Sequence, residues 1–179
     1  IVPIDRGVQD YFGCSVSIFK NRAIVGARGH VKDSSSINSL DDAGAAYIFE
    51  RNASGTWSQV DKLSADDRSK DAFFGWSVDI GEDCAVIGAP YEQKDKNGGN
   101  SAFRAGASYV FRRNSTGTWD QEEKLTAIDH SRGKFGTSVA ISGDTILIGA
   151  SRNSTNAVGG DTLTAAGAAY IFVRGQNGW

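Results

Sequence analysis

Three stretches of the chain spell nearly the same thing at a nearly constant interval. "GAAYIFERNASGTW" (44–57) and "GASYVFRRNSTGTW" (106–119) start 62 residues apart, and "GAAYIFVRGQNGW" opens at 167. Self-similarity at such a period limits the fold more than any other property of the chain. A repeat of this size is one supersecondary unit, and it buries its apolar faces only by stacking on its neighbours. Alignment on Phe-Gly extends the match to "DYFGCSVSIFKNRAIVGA" (10–27), "AFFGWSVDIGEDCAVIGA" (72–89) and "GKFGTSVAISGDTILIGA" (133–150). The first two repeats then continue as "GTWSQVDKLSADD" (55–67) and "GTWDQEEKLTAID" (117–129).

Each segment is short, rich in β-branched and aromatic residues, and alternates in polarity, which is the pattern of half-buried strands. Gly-Glu-Asp and Ser-Gly-Asp between apolar runs supply hairpin turns. Four strands per repeat follow: FGxSVxI, a run ending in IGA, GAAYIF, and TWxQxxKL. The expected fold is therefore all-β, a β-propeller-type array of about three four-stranded antiparallel blades of roughly 62 residues. The repeats run over 10–67, 72–129 and 133–179. Residues 1–9 complete the outer strand and linker of a preceding blade, and 1–179 form a single repeat region. Phe12, Phe74 and Phe135, with Tyr47, Tyr109 and Tyr170, are the expected core between blades. Closed propellers use about four to eight blades, so three leave two apolar faces to be covered. The cover is the rest of a longer chain, other copies in a homo-oligomer, or an open polymer.

Composition narrows the partners. A net charge of −2 gives no reason to expect nucleic acid or an anionic membrane. No run approaches the ~18 apolar residues of a spanning helix, so membrane insertion is not expected. The chain contains no Met and opens on Ile1, as a processed product or internal segment would. Its two cysteines, Cys14 and Cys84, occupy different repeat positions. They form either one disulfide between neighbouring repeats or two free thiols.

Three Asn-x-Ser/Thr sequons start at Asn52, Asn114 and Asn153. Asn52 and Asn114 share one repeat position, a turn expected at the exposed outer rim, where a glycan fits. His30 and His130 have no evident partner, and no nucleophile–base, metalloprotease or phosphate-loop motif occurs. No catalysis is expected. Asp5, Asp67 and Asp129 recur once per repeat, and bonding to turn amides is the expected role.

The series FG…SV…IGA…GAAYIF…W…KLxAxD resembles the FG-GAP repeat family of β-propellers, related to the repeats of integrin α-subunit heads. "FGWSVDIGEDCAVIGAP" (74–90) carries both signatures intact, whereas the other repeats have "GAR" (26–28) and "GAS" (149–151). The resemblance implies an extracellular, secreted or cell-surface interaction module with a structural or adhesive role. It also implies Ca²⁺ in a DxDxDG-type loop between the first two strands of a blade. Here those connections, "FKNR" (19–22), "GEDC" (81–84) and "SGDT" (142–145), are too short to wrap the ion. No cofactor is expected, and Asp41 and Asp42 are the nearest cation candidates, set against a solvated acidic turn. The long loops 28–43, 90–105 and 151–166 share framing sequences and differ in content. They support an alternative lectin-like or peptide-binding role, with Tyr91, Phe103, Arg104 and Arg152 as contact candidates for a protein or glycan.

Overall fold

The computed structural model describes residues 1–99, 104–128, 132–155, 163–176 and 178–179. Eleven strands and no helix occur among them. The first sheet contains β1 (Phe12–Phe19), β2 (Arg22–Ala27), β3 (Ala45–Arg51) and β4 (Trp57–Leu63) in that order. The second contains β5 (Ser77–Ile80), β6 (Cys84–Ala89), β7 (Ala107–Arg113) and β8 (Trp119–Leu125). The third contains β9 (Phe135–Ser142), β10 (Thr145–Ala150) and β11 (Ala168–Val173). All pairings are antiparallel. Residues 1–9 form no strand and lie as a linker: the Ile4 amide donates to Gln59, as the Asp66 amide donates to Gln121 one repeat later.

The blades stack through their faces. β5 packs against β1 and β2 of the first blade, and β9 against β5, β6 and β7 of the second. Alternation places Val78 and Ile80 on one side of β5, both buried. They join Phe74, Ile87, Tyr109 and Phe111 against Ile24, Ala46, Ile48 and Leu63 of the first blade. The next junction repeats the design: Val86, Val110 and Leu125 meet Phe135, Ile146 and Ile148, with Tyr170 and Phe172 partly buried beside them. Phe74, Phe135, Tyr47 and Tyr109 are fully buried, while Phe12 and Tyr170 are partly so. Phe74, Tyr109, Phe135 and Tyr170 therefore lie between blades as expected, whereas Phe12 and Tyr47 gather with Val25, Phe49 and Trp57 in a cluster of the first blade alone.

Small residues bring the blades into backbone contact. A Cβ on Gly26 would stand 2.0 Å from the Gly75 carbonyl oxygen, and one on Gly88 equally close to that of Gly136. Glycine is required there because any side chain would drive the blades apart. Ser15 Oγ and Ser77 Oγ donate to those same two carbonyls, each at 2.8 Å.

The recurring acid has a different partner from the one expected. Asp5 accepts from Lys62 Nζ at 2.6 Å, Tyr47 Oη at 2.9 Å and Ser36 Oγ at 2.8 Å. Asp67 repeats this with Lys124 at 2.6 Å and Tyr109 at 3.0 Å. Each acid therefore ties the linker before a blade to the third and fourth strands of that blade, through side chains rather than turn amides. Burial pushes the Asp5 carboxyl up, but hydrogen bonds from Lys62, Ser36 and Tyr47 and the Lys62 charge outweigh it. They hold the group well below the usual carboxylate range. Asp129 and His130 lie outside the described residues.

Candidate functional site

The long loops leave β2, β6 and β10 at the end of the array where β1, β5 and β9 begin. Two repeated backbone positions shape that end. Tyr11, Phe73 and Lys134, each directly before Phe-Gly, adopt φ of 53°, 56° and 53°. Asp42, Arg104 and Ala165, at the close of the long loops, adopt 47°, 58° and 54°. The two sets meet across blades, the Phe73 amide donating to the Asp42 carbonyl at 2.9 Å and Lys134 to Arg104 at 3.3 Å. A left-handed conformation is uncommon for residues with a Cβ. These cross-blade bonds tie down Phe73, Asp42, Lys134 and Arg104 in it.

Between the first and second blades this arrangement opens a groove of about 450 Å³ lined by Tyr11, Arg28, Phe73, Trp76, Tyr91 and Arg104, together with Gln9 and Asp42. The aromatic rings form a connected set, with Phe73 centred 6.1 Å from Trp76 and 5.2 Å from Tyr91, and Trp76 5.6 Å from Tyr91. Cations cover them. The Arg28 guanidinium lies 5.0 Å from the Tyr11 ring centre and 4.5 Å from that of Trp76. Arg104 lies 5.2 Å and Lys134 4.2 Å from the Tyr91 ring centre. Lys134 Nζ also donates to Tyr91 Oη at 2.7 Å. That bond, opposed by burial and aided by the charges of Lys134, Arg104 and Arg152, lowers the Tyr91 phenol below its ordinary value.

Two of the sequence-predicted contact residues, Tyr91 and Arg104, therefore share one groove. Arg152 is exposed, with its charge felt at Tyr91. Phe103 lies outside the described residues. Arg28, Phe73, Trp76 and Lys134 join Tyr91 and Arg104 across blades, a meeting that repeat alignment does not show. The available signal was that Arg28, Trp76 and Lys134 differ in type from the residues at those positions in the other repeats.

A second candidate surface is the pair of outer faces. Beyond the third blade, Leu147 and Ile171 are 44 % and 69 % exposed, where the matching Val86 and Val110 are 0 %. On the first blade, Val16 and Ile18 of β1 are exposed while the matching Val78 and Ile80 are buried, although Val25, Tyr47 and Phe49 of the same face are buried within their own blade. A Cβ on Gly13 would meet nothing within 4 Å, and one on Gly149 would meet only Ser138 of its own sheet. The buried equivalents, Gly75 and Gly26, lie against the neighbouring blade.

The remaining candidates sort by geometry. Asn52 and Asn114 sit in the β3–β4 and β7–β8 turns, Asn52 exposed and Asn114 half-buried with Nδ2 on Thr118 and Asp120. Asn153 is buried, its Nδ2 donating to Tyr170 Oη and its Oδ1 accepting from the Thr155 amide at 2.7 Å. A glycan there would have to displace that network, so the sequon reading does not carry over to Asn153.

Of the two alternatives for the cysteines, the structure has the free thiols. Cys14 is exposed with Sγ 3.3 Å from the Gly75 carbonyl oxygen, whereas Cys84 is buried opposite Arg112 on β7. Burial pushes the Cys84 thiol up to about 11. Asp41 pairs with Lys70 at 3.0 Å, so an ammonium already serves it. Asp42 lines the groove instead of joining Asp41 in a cage. Among the described residues no three His, Cys, Asp or Glu side chains gather as a metal site.

His30 has a role the sequence reading missed. It shares its repeat position with Glu92 and Asn153, and all three are buried beside the blade tyrosine. Its Nδ1 lies 3.0 Å from Asp10 Oδ2 and its Nε2 3.5 Å from Asp5 Oδ2, close to both carboxylates but aligned for a hydrogen bond with neither.

No helix among the described residues is long and apolar enough to cross a membrane. The FG-GAP repeat model matches residues 1–49, 57–111 and 119–172. No curated protein matches the chain.

Proposed function

The chain belongs to the FG-GAP repeat family, and we propose on that footing that it is a non-catalytic extracellular module working through blade-to-blade contacts. Repeats of this family are in general extracellular interaction modules rather than enzymes. The observation that carries the reading is the pair of open faces. The third blade presents Leu147 and Ile171, and the first blade presents Val16 and Ile18 of β1, at positions that are buried in the two internal junctions, with the Gly13 and Gly149 positions standing clear of any neighbouring blade. The two faces are the two halves of one repeated contact. A further FG-GAP blade, from a longer chain or from another copy, fits either of them. Exposed apolar patches of this kind mark interaction surfaces. Glycans on the Asn52 and Asn114 turns, at the end of the sheets away from the long loops, leave both faces clear.

Intact mass and light scattering on protein from its natural source, before and after glycosidase treatment, test the proposal. A polypeptide much heavier than 19.0 kDa, or a 19.0 kDa polypeptide in a defined oligomer or polymer, supports it. An Ile171→Lys variant then reduces association without loss of fold. A stable monomer of 19.0 kDa overturns the blade-contact proposal, and the absence of any glycosidase-sensitive mass removes the glycan assignment.

A further inference from the structure

We propose that the groove between the first two blades is a binding site for a single carboxylate carried on an extended polypeptide, with Arg28 as its principal anchor.

Three observations lead there. First, the cations cover the rings: Arg28 lies against Tyr11 and Trp76, while Arg104 and Lys134 lie against Tyr91. A sugar stacking on aromatic faces would have to displace them. A guanidinium stacked on rings keeps its in-plane N–H donors for a planar acceptor, and its orientation is already fixed. Second, Arg28 has no carboxylate partner among the described residues, and its Nε is a buried donor without an acceptor. An uncompensated cation with an orphaned donor is costly, and a bidentate carboxylate relieves that cost. Third, the groove is not a polyanion track. Asp42 is among its lining residues, Asp71 lines the adjoining hollow beside Phe73 and Tyr91, and the whole chain carries a net charge of −2. One carboxylate fits among these charges. A sulfated or polyuronic glycan would place further anions against Asp42 and Asp71. A peptide places backbone N–H donors there instead, which those acids accept.

The test is an NMR titration of the intact chain, following the Arg28 Nε–Hε and Trp76 indole N–H signals. The probe is an end-blocked eight-residue Gly/Ser peptide with one central Asp, compared with its Asn counterpart and with heparin as a polyanion. The Asp peptide should shift both signals with Kd about 1 mM, as expected for one exposed contact. The Asn peptide should weaken binding about tenfold or more. Arg28→Gln should abolish the effect at Trp76, and Arg28→Lys should restore it only in part. Arg104→Gln, at an exposed residue, should weaken binding while leaving the rest of the spectrum in place. The proposal is overturned if the Asp and Asn peptides shift the signals equally, if heparin binds while the Asp peptide does not, or if no probe moves Arg28. None of these outcomes bears on the outer faces, so this proposal and the blade-contact proposal fail separately.

Discussion

Ile48 of β3 and Ile171 of β11 are the same residue at the same repeat position, yet one is fully buried and the other 69 % exposed. Both stand in the strand AAYIF, and both are preceded by the same tyrosine. The second blade lies over Ile48, and no described blade lies over Ile171. Burial in a stacked array is thus a property of the neighbour, while the residue records only which face is ready to be covered.

Three measurements break or sharpen that contrast. The largest effect belongs to glycine. Gly88→Val drives a side chain into the Gly136 carbonyl and should cost about 4 kcal/mol or more in urea unfolding. Gly149→Val meets only the rotatable Ser138 hydroxyl and should cost less than about 1.5 kcal/mol. Equal losses would mean that the third blade's face is covered in solution. Next, Ile48→Ala should cost about 3 kcal/mol through the cavity it leaves. Ile171→Ala should stay within about 0.5 kcal/mol in the dissociated chain.

The smallest effect concerns the linker tie. Asp5→Asn keeps the shape but loses the charge-assisted bond to Lys62, costing about 2 kcal/mol at neutral pH. The folded Asp5 carboxyl is depressed relative to the unfolded one. Its contribution is therefore full above an unfolded aspartate value of about 4 and fades as pH falls below it. The gap between wild-type and Asp5→Asn stabilities should narrow steadily as pH falls below about 4 and close only at the far lower pH where the folded carboxyl is protonated. A gap of constant size below about pH 4 would remove the electrostatic account of the tie.

Much of the fold could be read from the chain. The four expected strands of each of the first two repeats appear where period and turn residues placed them, and the Phe and Tyr of the second and third repeats line the junctions. The candidate site was only half legible. Tyr91 and Arg104 were picked by residue type. Arg28, Trp76 and Lys134 join them where left-handed backbone occurs at Tyr11, Phe73, Asp42, Arg104 and Lys134, and of these only the aspartate is a type that favours positive φ. The role of Asp5 was visible as a recurrence but not as a partner, because Lys62 lies 57 residues away and reaches it only after the blade has folded.

The amino-acid order alone determined the repeat, the strands, their alternation and the glycines that permit close stacking, since these follow from local sterics and from periodicity. Tertiary structure decided which equivalent faces are covered, which acid meets which lysine, and where cations and rings converge into a groove. Those depend on side chains from different blades meeting in space, and a one-dimensional pattern of equivalent repeats carries the same letters whether or not they meet.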